Sequence, residues 1–215
     1  MKKNILAALA LTATATPALA HHPLGGLPME TFAHGLMSGV GHPVLGFDHL
    51  FFVVAVGILA LFTAHRFLAP AAYVGAMLVG CGLMYAGVAM PAAELVIVAS
   101  LVVAGGLLAS GRGVAPTAIV ALFAVFGLFH GSAFGGSIAG QEGGVGGAVL
   151  IGYLIGLGAI QYAIALFAGW AASKAGSVSP ASVNARLVGA AIAGVGLFLG
   201  LEVIEGPIVA LLSAA

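Results

Sequence analysis

Two histidines and one aspartate within eight residues are the part of this sequence best suited to chemistry. They lie in the run His42–His49, which reads HPVLGFDH in one-letter code. Imidazole nitrogen together with carboxylate oxygen suits borderline ions such as Ni²⁺, Co²⁺ and Zn²⁺, whereas Mg²⁺ or Ca²⁺ favours oxygen ligands alone. The spacing therefore predicts that a divalent transition metal binds to His42, Asp48 and His49.

The local structure around this run decides how the three side chains could meet. Pro43 is well placed at the start of a helix, and Gly46 allows another part of the chain to approach the backbone closely. We therefore expect His42 to fold back over the helix end towards Asp48 and His49. Two alternatives stay open. Asp48 could orient a ligating imidazole through the second ring nitrogen, or it could simply cap a helix start at the membrane interface.

The elements that carry these residues are predicted to be membrane helices. Hydrophobic residues make up 62% of the 215 positions and charged residues 6%, against about a quarter charged in a soluble domain. Lipid must therefore cover the protein surface, and only helices or closed barrels satisfy every backbone amide in lipid. The apolar runs are about 17 residues or longer and do not alternate, so helices are favoured over strands.

Six long apolar segments predict six transmembrane helices in one all-α bundle. They cover roughly residues 43–64, 67–90, 93–110, 115–134, 146–172 and 186–213. Each approaches or exceeds the ~20 residues that cross a ~30 Å hydrocarbon core. A shorter stretch at 24–40, which contains Glu30 and His34, is too polar for a span. We expect a short re-entrant or interfacial helix there.

The first twenty residues have the features of a cleaved signal peptide. Lys2 and Lys3 precede an apolar core at Ile5–Leu11, and Ala18–Ala20 supplies small residues at a cleavage site. Cleavage would leave one domain, residues 21–215, and would start the mature chain at His21 outside the cytoplasm. An uncleaved first helix is disfavoured because the apolar core is too short to cross a membrane.

The positive charges predict the same orientation independently. With the N-terminus outside, the loops after the first, third and fifth spans face the cytoplasm. These loops carry every lysine and arginine that follows the signal peptide, namely Arg66, Arg112, Lys174 and Arg186. This distribution follows the positive-inside rule. We therefore expect a multi-pass protein of the bacterial inner membrane with its mature N-terminus in the periplasm.

The same topology places the carboxylates and most histidines in the outer half of the membrane. Asp48 and His49 are expected about two turns into the first span. Glu94 opens the third span, and His130 falls in the outer third of the fourth. The other acidic residues of this half are Glu30, Glu142, Glu202 and Glu205. Such an electronegative vestibule, rich in imidazole, would attract cations.

The stretch Gly39–Gly57, which contains the element His-Pro-x-x-Gly-x-Asp-His, resembles the signature of the HupE/UreJ family. Further pieces fall in the family's order over most of the chain, with Pro91–Glu94 opening one span and Phe129–Gly131 closing another. The resemblance implies a membrane permease for nickel or cobalt, associated with hydrogenase and urease loci. It also implies which residues bind the metal, first His42, Asp48 and His49, then His130 and Glu94.

The chain departs from the family pattern in two places. Many members have His-Gly-His-Ala-His-Gly in the fourth span. In this chain His130–Gly135 reads HGSAFG, which retains only the first of the three histidines. A Leu-His pair often found in the fifth span is here Ile160-Gln161. The site therefore has fewer imidazoles than usual. It could recruit Glu142 or Gln161, or prefer a different ion.

Other polar residues have both a structural and a functional interpretation. His34 could join the metal cluster or sit at the interface, and His65 is expected to be solvated in a cytoplasmic loop. Gln161, near mid-membrane, is expected to bond to another helix or to line a pathway. His21 and His22 could chelate metal through the new N-terminus or form an untethered end.

Three classes of function fit these features. The first is a secondary transporter whose substrate is Ni²⁺ or Co²⁺, with no organic cofactor and no enzymatic activity. The second is a periplasm-facing metal sensor or metallochaperone for hydrogenase, urease or cobalamin maturation. The third, a remote alternative, is an intramembrane protease, because a base and a hydroxyl lie close together at His130 and Ser132.

The remaining partners follow from composition. Six basic and six acidic residues leave no basic patch, so nucleic acid is not an expected partner. The lipid bilayer is one, and assembly into a homo-oligomer stays open. The chain has no Gly-x-x-x-x-Gly-Lys element, which excludes an intrinsic P-loop ATPase.

Overall fold

The computed structural model describes residues 28–140 and 145–213, with side chains described up to residue 205 in the last helix. The predicted signal peptide, His21, His22 and Glu142 lie outside these residues. The described part of the chain contains seven helices: α1 Phe32–Leu45, α2 Phe47–Leu61, α3 Leu68–Tyr85, α4 Ala93–Ser110, α5 Pro116–Ala139, α6 Gly147–Lys174 and α7 Val183–Ser213.

The fold is a polytopic helical membrane bundle, as predicted. Helices α3 to α7 are each long and apolar enough to cross a membrane. Helices α1 and α2 meet that criterion only as a pair, with an 81° bend between them. The described residues therefore provide five spans, or six if the bent pair is one span.

The predicted start of the first span is wrong. We expected Pro43 to open a span at 43–64, but Pro43 lies inside α1. The helix is interrupted at Gly46, whose backbone is extended (φ −87°, ψ 102°). Proline lacks the N–H that would continue the helical hydrogen bonds, which weakens the last turn of α1. Asp48 and His49 therefore lie in the first turn of α2, not two turns into a span.

The other five predicted spans each correspond to one helix. The third predicted span coincides with α4 at Ala93–Ser110, whereas α5 continues to Ala139 rather than ending at 134. His130 is therefore nine residues before the end of α5, about 14 Å along the helix axis. It lies deeper in the bundle than the outer third in which we expected it.

Glycines let several helix pairs approach until their backbones touch. In the α1–α6 pair, a Cβ atom at Gly39 would collide with the Tyr153 carbonyl, and in the α3–α5 pair one at Gly131 would collide with the Met77 carbonyl. The α4–α7 pair closes in the same way at Gly105. Membrane helices associate through such close packing because lipid is as apolar as their own side chains.

Helix α2 lies at the centre of the bundle. It contacts all six other helices of the described chain, and nine of its fifteen residues are buried. It packs against α6 at Gly57, where a Cβ atom would collide with the Ala165 carbonyl. Residues in the first turn of α2 can therefore meet side chains from several helices.

Acidic and basic residues lie at opposite ends of the bundle. Helix α4 runs from Glu94 to the connection that holds Arg112. There Arg186 of α7 donates a hydrogen bond to the Ala109 carbonyl (3.1 Å). We call this the basic end, formed by the connections after α2, α4 and α6. The opposite, acidic end contains a cleft lined by Asp48, Glu94 and Glu202. The predicted separation of charge is thus present in the described residues.

Candidate functional site

The bend between α1 and α2 brings the residues of the motif together at the acidic end. His42 lies in the last turn of α1, while Asp48 and His49 lie in the first turn of α2. The ring centroids of the two histidines are 6.4 Å apart and their planes are nearly perpendicular, at 80°. The predicted approach of His42 to His49 is confirmed, although it arises from a helix break and not from a helix start.

Gly46, at the break, leaves the space that these side chains occupy. A Cβ atom at this position would lie 3.1 Å from the His49 Cδ2 atom and 3.2 Å from the Asp48 Oδ1 atom. Both distances are tighter than ordinary van der Waals contact between carbon and its neighbours. The glycine in the motif therefore lets Asp48 and His49 pack directly against the end of α1.

The two oxygens of Asp48 have different partners. Oδ1 accepts a hydrogen bond from the His49 backbone N–H (2.8 Å), where a carboxylate also favours the positive end of the helix dipole. Oδ2 lies 3.7 Å from His49 Nε2. Gly46 is the N-cap of α2, so Asp48 lies at the helix start without being its cap residue, and it accepts from an N–H group of the first turn. Its second oxygen faces the imidazole ring of His49.

His49 meets a second histidine from α5. Its Nδ1 atom lies 2.7 Å from Nδ1 of His130, and the other ring nitrogen of His130 lies 2.9 Å from Ser100 Oγ on α4. His130 and Ser100 are both fully buried, and His49 is buried except for 6% of its surface. Three helices thus contribute to one row of hydrogen-bonded side chains.

Aromatic rings enclose the two buried histidines. Phe52 stacks on His130 with centroids 4.5 Å apart and planes within 19°. Phe134 lies 4.1 Å from the His49 ring, and Tyr73 meets His130 edge-on at 6.0 Å. Such an apolar enclosure excludes water and strengthens each electrostatic contact inside it.

His42 is held by α5 and α6. Its Nδ1 atom lies 3.1 Å from the Tyr153 hydroxyl and 3.4 Å from the Ser137 hydroxyl. Both hydroxyls also reach the Phe134 carbonyl, at 3.2 Å and 3.0 Å. If they donate to that carbonyl, their oxygens accept from the His42 Nδ1–H group, and in the neutral ring Nε2 then carries the lone pair.

The cleft at the acidic end borders the histidine cluster, formed by His42, His49 and His130, at Asp48. It has a volume of about 590 Å³, and three helices place a carboxylate in it, through Asp48 of α2, Glu94 of α4 and Glu202 of α7. Glu94 and Glu202 are exposed, while Asp48 is half-buried beside His49. Glu94, which the family resemblance implied as a metal residue, thus lines the same cleft as Asp48, and Glu202 lines it as well.

The other predicted candidates lie apart. His34 is eight residues before His42 on the same helix, about 12 Å along its axis, and its Nδ1 atom accepts from the Glu30 N–H (3.3 Å). His65 is exposed in the connection after α2. Within the described residues, no three His, Cys, Asp or Glu side chains converge closely enough to hold a metal ion. A site with three such ligands would therefore require side chains to turn towards a shared point.

A second buried polar group lies deeper between α3 and α6. The Tyr73 hydroxyl donates to Gln161 Oε1 (2.6 Å), and Gln161 Nε2 approaches Met77 Sδ (3.6 Å). All three side chains are fully buried. The predicted bond from Gln161 to another helix is therefore confirmed.

Sequence reasoning missed Ser100, Ser137 and Tyr153 altogether. A single serine or tyrosine in an apolar helix carries no spacing signal, because the helix that it faces is unknown until the bundle is assembled.

The structure gives separate partners to His130 and Ser132, the pair that suggested a protease. Ser132 accepts a hydrogen bond from the Met90 N–H (3.2 Å), and His130, two residues earlier, points to His49 and Ser100 instead.

Comparison with known proteins identifies relatives over most of the chain. Residues 9–199 match the sequence profile of a family described as HupE / UreJ protein. The chain is 31% identical to Protein HupE of Rhizobium leguminosarum bv. viciae over 157 residues, which cover 69% of this chain and 79% of that protein. No solved structure matches the chain.

Proposed function

We propose that this chain, which belongs to the HupE/UreJ family, transports Ni²⁺ or Co²⁺ across the bacterial inner membrane. The members of that family are membrane proteins related to nickel and cobalt transport. One observation carries the proposal. His49 Nε2 and Asp48 Oδ2 lie 3.7 Å apart, and a cation with bonds of about 2.1 Å to nitrogen and oxygen could bridge two atoms at this separation.

The donor types favour a borderline ion over a hard one. Imidazole and carboxylate together suit Ni²⁺, Co²⁺ or Zn²⁺, and His42 supplies a second imidazole once its ring turns towards His49. The HupE/UreJ membership favours nickel and cobalt among these ions. The metal is the substrate of the proposed transporter, so the proposal includes no enzymatic step and no organic cofactor.

The carboxylates of the cleft would capture the hydrated ion before it reaches the histidines. A cleft that carries three carboxylates between apolar helices raises the local concentration of cations. Asp48 belongs both to this cleft and to the histidine cluster. It would therefore pass the ion from water to His49 while water molecules are exchanged for protein ligands.

The orientation that we propose places the acidic end in the periplasm. The four cations of the described chain would then face the cytoplasm, as the positive-inside rule requires. An inward-negative membrane potential favours cation entry by about 2.3 kcal/mol per charge per 100 mV. Facilitated entry down this gradient needs no further energy source.

A non-conducting sensor or metallochaperone is the second candidate, and the packing below the histidines favours it. Phe52, Tyr73 and Phe123 are fully buried there, and they would have to move to let an ion pass. Uptake of radioactive nickel or cobalt into vesicles separates the two functions. A transporter accumulates the ion, whereas a sensor binds it without accumulation.

Substitution in the motif tests the assigned site. We expect His42→Ala, Asp48→Ala or His49→Ala to lower uptake to the level of vesicles without the protein, because each variant removes one electron-pair donor. Uptake of radioactive nickel and cobalt is measured alongside the amount of protein inserted in the membrane. His65→Ala, which changes an exposed histidine in a connecting loop, is the matched control. If both His42 and His49 can be replaced without loss of uptake, the site lies elsewhere.

A further inference from the structure

Ser100, His130 and His49 form a buried row of side chains whose hydrogen positions can be assigned. Ser100 Oγ lies 2.6 Å from the Ile97 carbonyl and 2.9 Å from His130 Nε2. His130 Nδ1 lies 2.7 Å from His49 Nδ1. Each short distance requires one hydrogen between its two atoms. Once the position of one hydrogen is known, the position of the next one follows.

The Ile97 carbonyl fixes the first hydrogen, because a carbonyl oxygen can only accept. The Ser100 hydroxyl must donate to it, and a hydroxyl has a single hydrogen. Ser100 Oγ therefore accepts from His130, whose proton lies on Nε2. A neutral His130 ring then presents the lone pair of Nδ1, which accepts the Nδ1–H of His49. His130 is neutral because it is fully buried among aromatic rings, where an imidazolium would be costly.

This row ends on the nitrogen that faces Asp48. With its proton on Nδ1, a neutral His49 carries its lone pair on Nε2, which lies 3.7 Å from Asp48 Oδ2. Two electron-pair donors at that separation stabilise a cation between them. We infer that Ser100 and His130 are positioning residues that set the tautomer of His49, so that Nε2 is the nitrogen offered to the metal. This inference rests on the proposed function for its metal.

The same geometry assigns His130 a role other than the metal ligand that the family resemblance implied. Both of its ring nitrogens are engaged, one by Ser100 and one by His49. Its ring is stacked on Phe52, which restricts rotation. Binding a metal through His130 would break one of these two hydrogen bonds inside the bundle, where no water replaces it.

Ring-nitrogen chemical shifts test the tautomers without any metal. We expect ¹⁵N-histidine spectra of the metal-free protein in lipid nanodiscs to show His130 protonated on Nε2 and His49 on Nδ1. Ser100→Ala removes the acceptor of the His130 proton, so the spectra of both rings should change to mixtures of tautomers. Metal affinity, measured by titration calorimetry with NiCl₂ and CoCl₂, should fall about 10- to 100-fold, as for loss of a residue that orients a metal-binding histidine.

Two variants on the same helix separate positioning from a general effect on folding. Ser100→Thr keeps the hydroxyl and should retain the tautomers and the metal affinity. Ser110→Ala is the matched control, because Ser110 also donates to a backbone carbonyl, that of Leu107 (2.7 Å), but at an exposed position. It should leave both measurements unchanged. Wild-type tautomers or wild-type affinity in a folded Ser100→Ala protein would overturn the inference.

Binding of paramagnetic Co²⁺ tests whether His49 is a metal ligand and His130 is not. We expect contact-shifted ring resonances from His49 and none from His130. A contact-shifted His130 ring would overturn its assignment as a positioning residue. If the wild-type protein bound neither metal, the proposed function would fail, whereas the tautomers of the metal-free protein would still be measured independently.

Discussion

Gly46 leaves room for the side chains of Asp48 and His49, because it has no side chain of its own. Its dihedral angles are accessible to alanine, but a Cβ atom would press on His49 Cδ2 at 3.1 Å and on Asp48 Oδ1 at 3.2 Å. We expect Gly46→Ala to keep the fold and to weaken metal binding about tenfold, or about 1.4 kcal/mol, because both side chains must shift. Titration calorimetry with Ni²⁺ measures the change.

Gly106→Ala is the control for this substitution. Gly106 lies in α4, and a Cβ atom added there meets nothing within 4 Å. Its affinity for Ni²⁺ should equal that of the wild-type protein. Unchanged affinity in Gly46→Ala as well would mean that the contacts at the helix break do not position Asp48 and His49.

Single residues differ in how far the sequence reveals their function. The motif was recognisable because three donors fall within eight residues, a local pattern that needs no knowledge of the fold. Ser100 was not recognisable, since its function depends on His130, which is thirty residues away and on another helix. This pair forms only when α4 packs against α5.

The α1–α6 crossing connects helix packing to the site. Gly39 lies against the Tyr153 carbonyl, and the Tyr153 hydroxyl contacts His42. We expect Gly39→Ala to lower the free energy of unfolding by about 1–3 kcal/mol, the usual cost of overpacking, because backbone cannot move aside as a side chain can. Metal uptake should fall with it, as Tyr153 is displaced from His42. Denaturant unfolding in detergent measures the first effect and vesicle uptake the second.

Gly75→Ala provides the comparison, since a Cβ atom at Gly75 of α3 has no neighbour within 4 Å. This variant should unfold and transport like the wild-type protein. Equal stability of Gly39→Ala and Gly75→Ala would show that α1 and α6 do not need backbone contact at this crossing.

The helices themselves were predictable because each apolar run is long enough to cross a membrane. The break at Gly46 was not, because Pro43 is compatible both with the start of a helix and with its last turn. What decides between them is the packing of α1 against α6, where Gly156 of α6 lies against the Leu36 carbonyl of α1. That contact joins residues more than a hundred positions apart, so no local pattern could indicate it.

The separation of charge along the whole molecule makes a prediction about ion capture. Glu202 lines the cleft beside Asp48 and Glu94, whereas Glu205, three residues later, does not line it. We expect Glu202→Gln to raise the KM for Ni²⁺ uptake about two- to fivefold and to reduce its dependence on ionic strength, with the maximal rate unchanged, because the cleft attracts cations less strongly. Initial rates of uptake at low and moderate salt measure both effects.

Glu205→Gln is the matched control, with the same change of charge on the same helix. It should leave the KM close to that of the wild-type protein. An equal increase in both variants would point to the overall charge of the acidic end, and not to the cleft, as the source of the attraction.

The backbone contacts at glycines group the seven described helices into three closely packed bodies. One consists of α1, α6 and α2, the second of α3 and α5, and the third of α4 and α7. His49, His130 and Ser100 come from the first, second and third body respectively, and their hydrogen bonds are the buried polar joint between all three. Binding of the proposed metal at His49 would therefore act on a residue that contacts all three bodies through this joint, and would couple occupancy of the site to the packing of the helices.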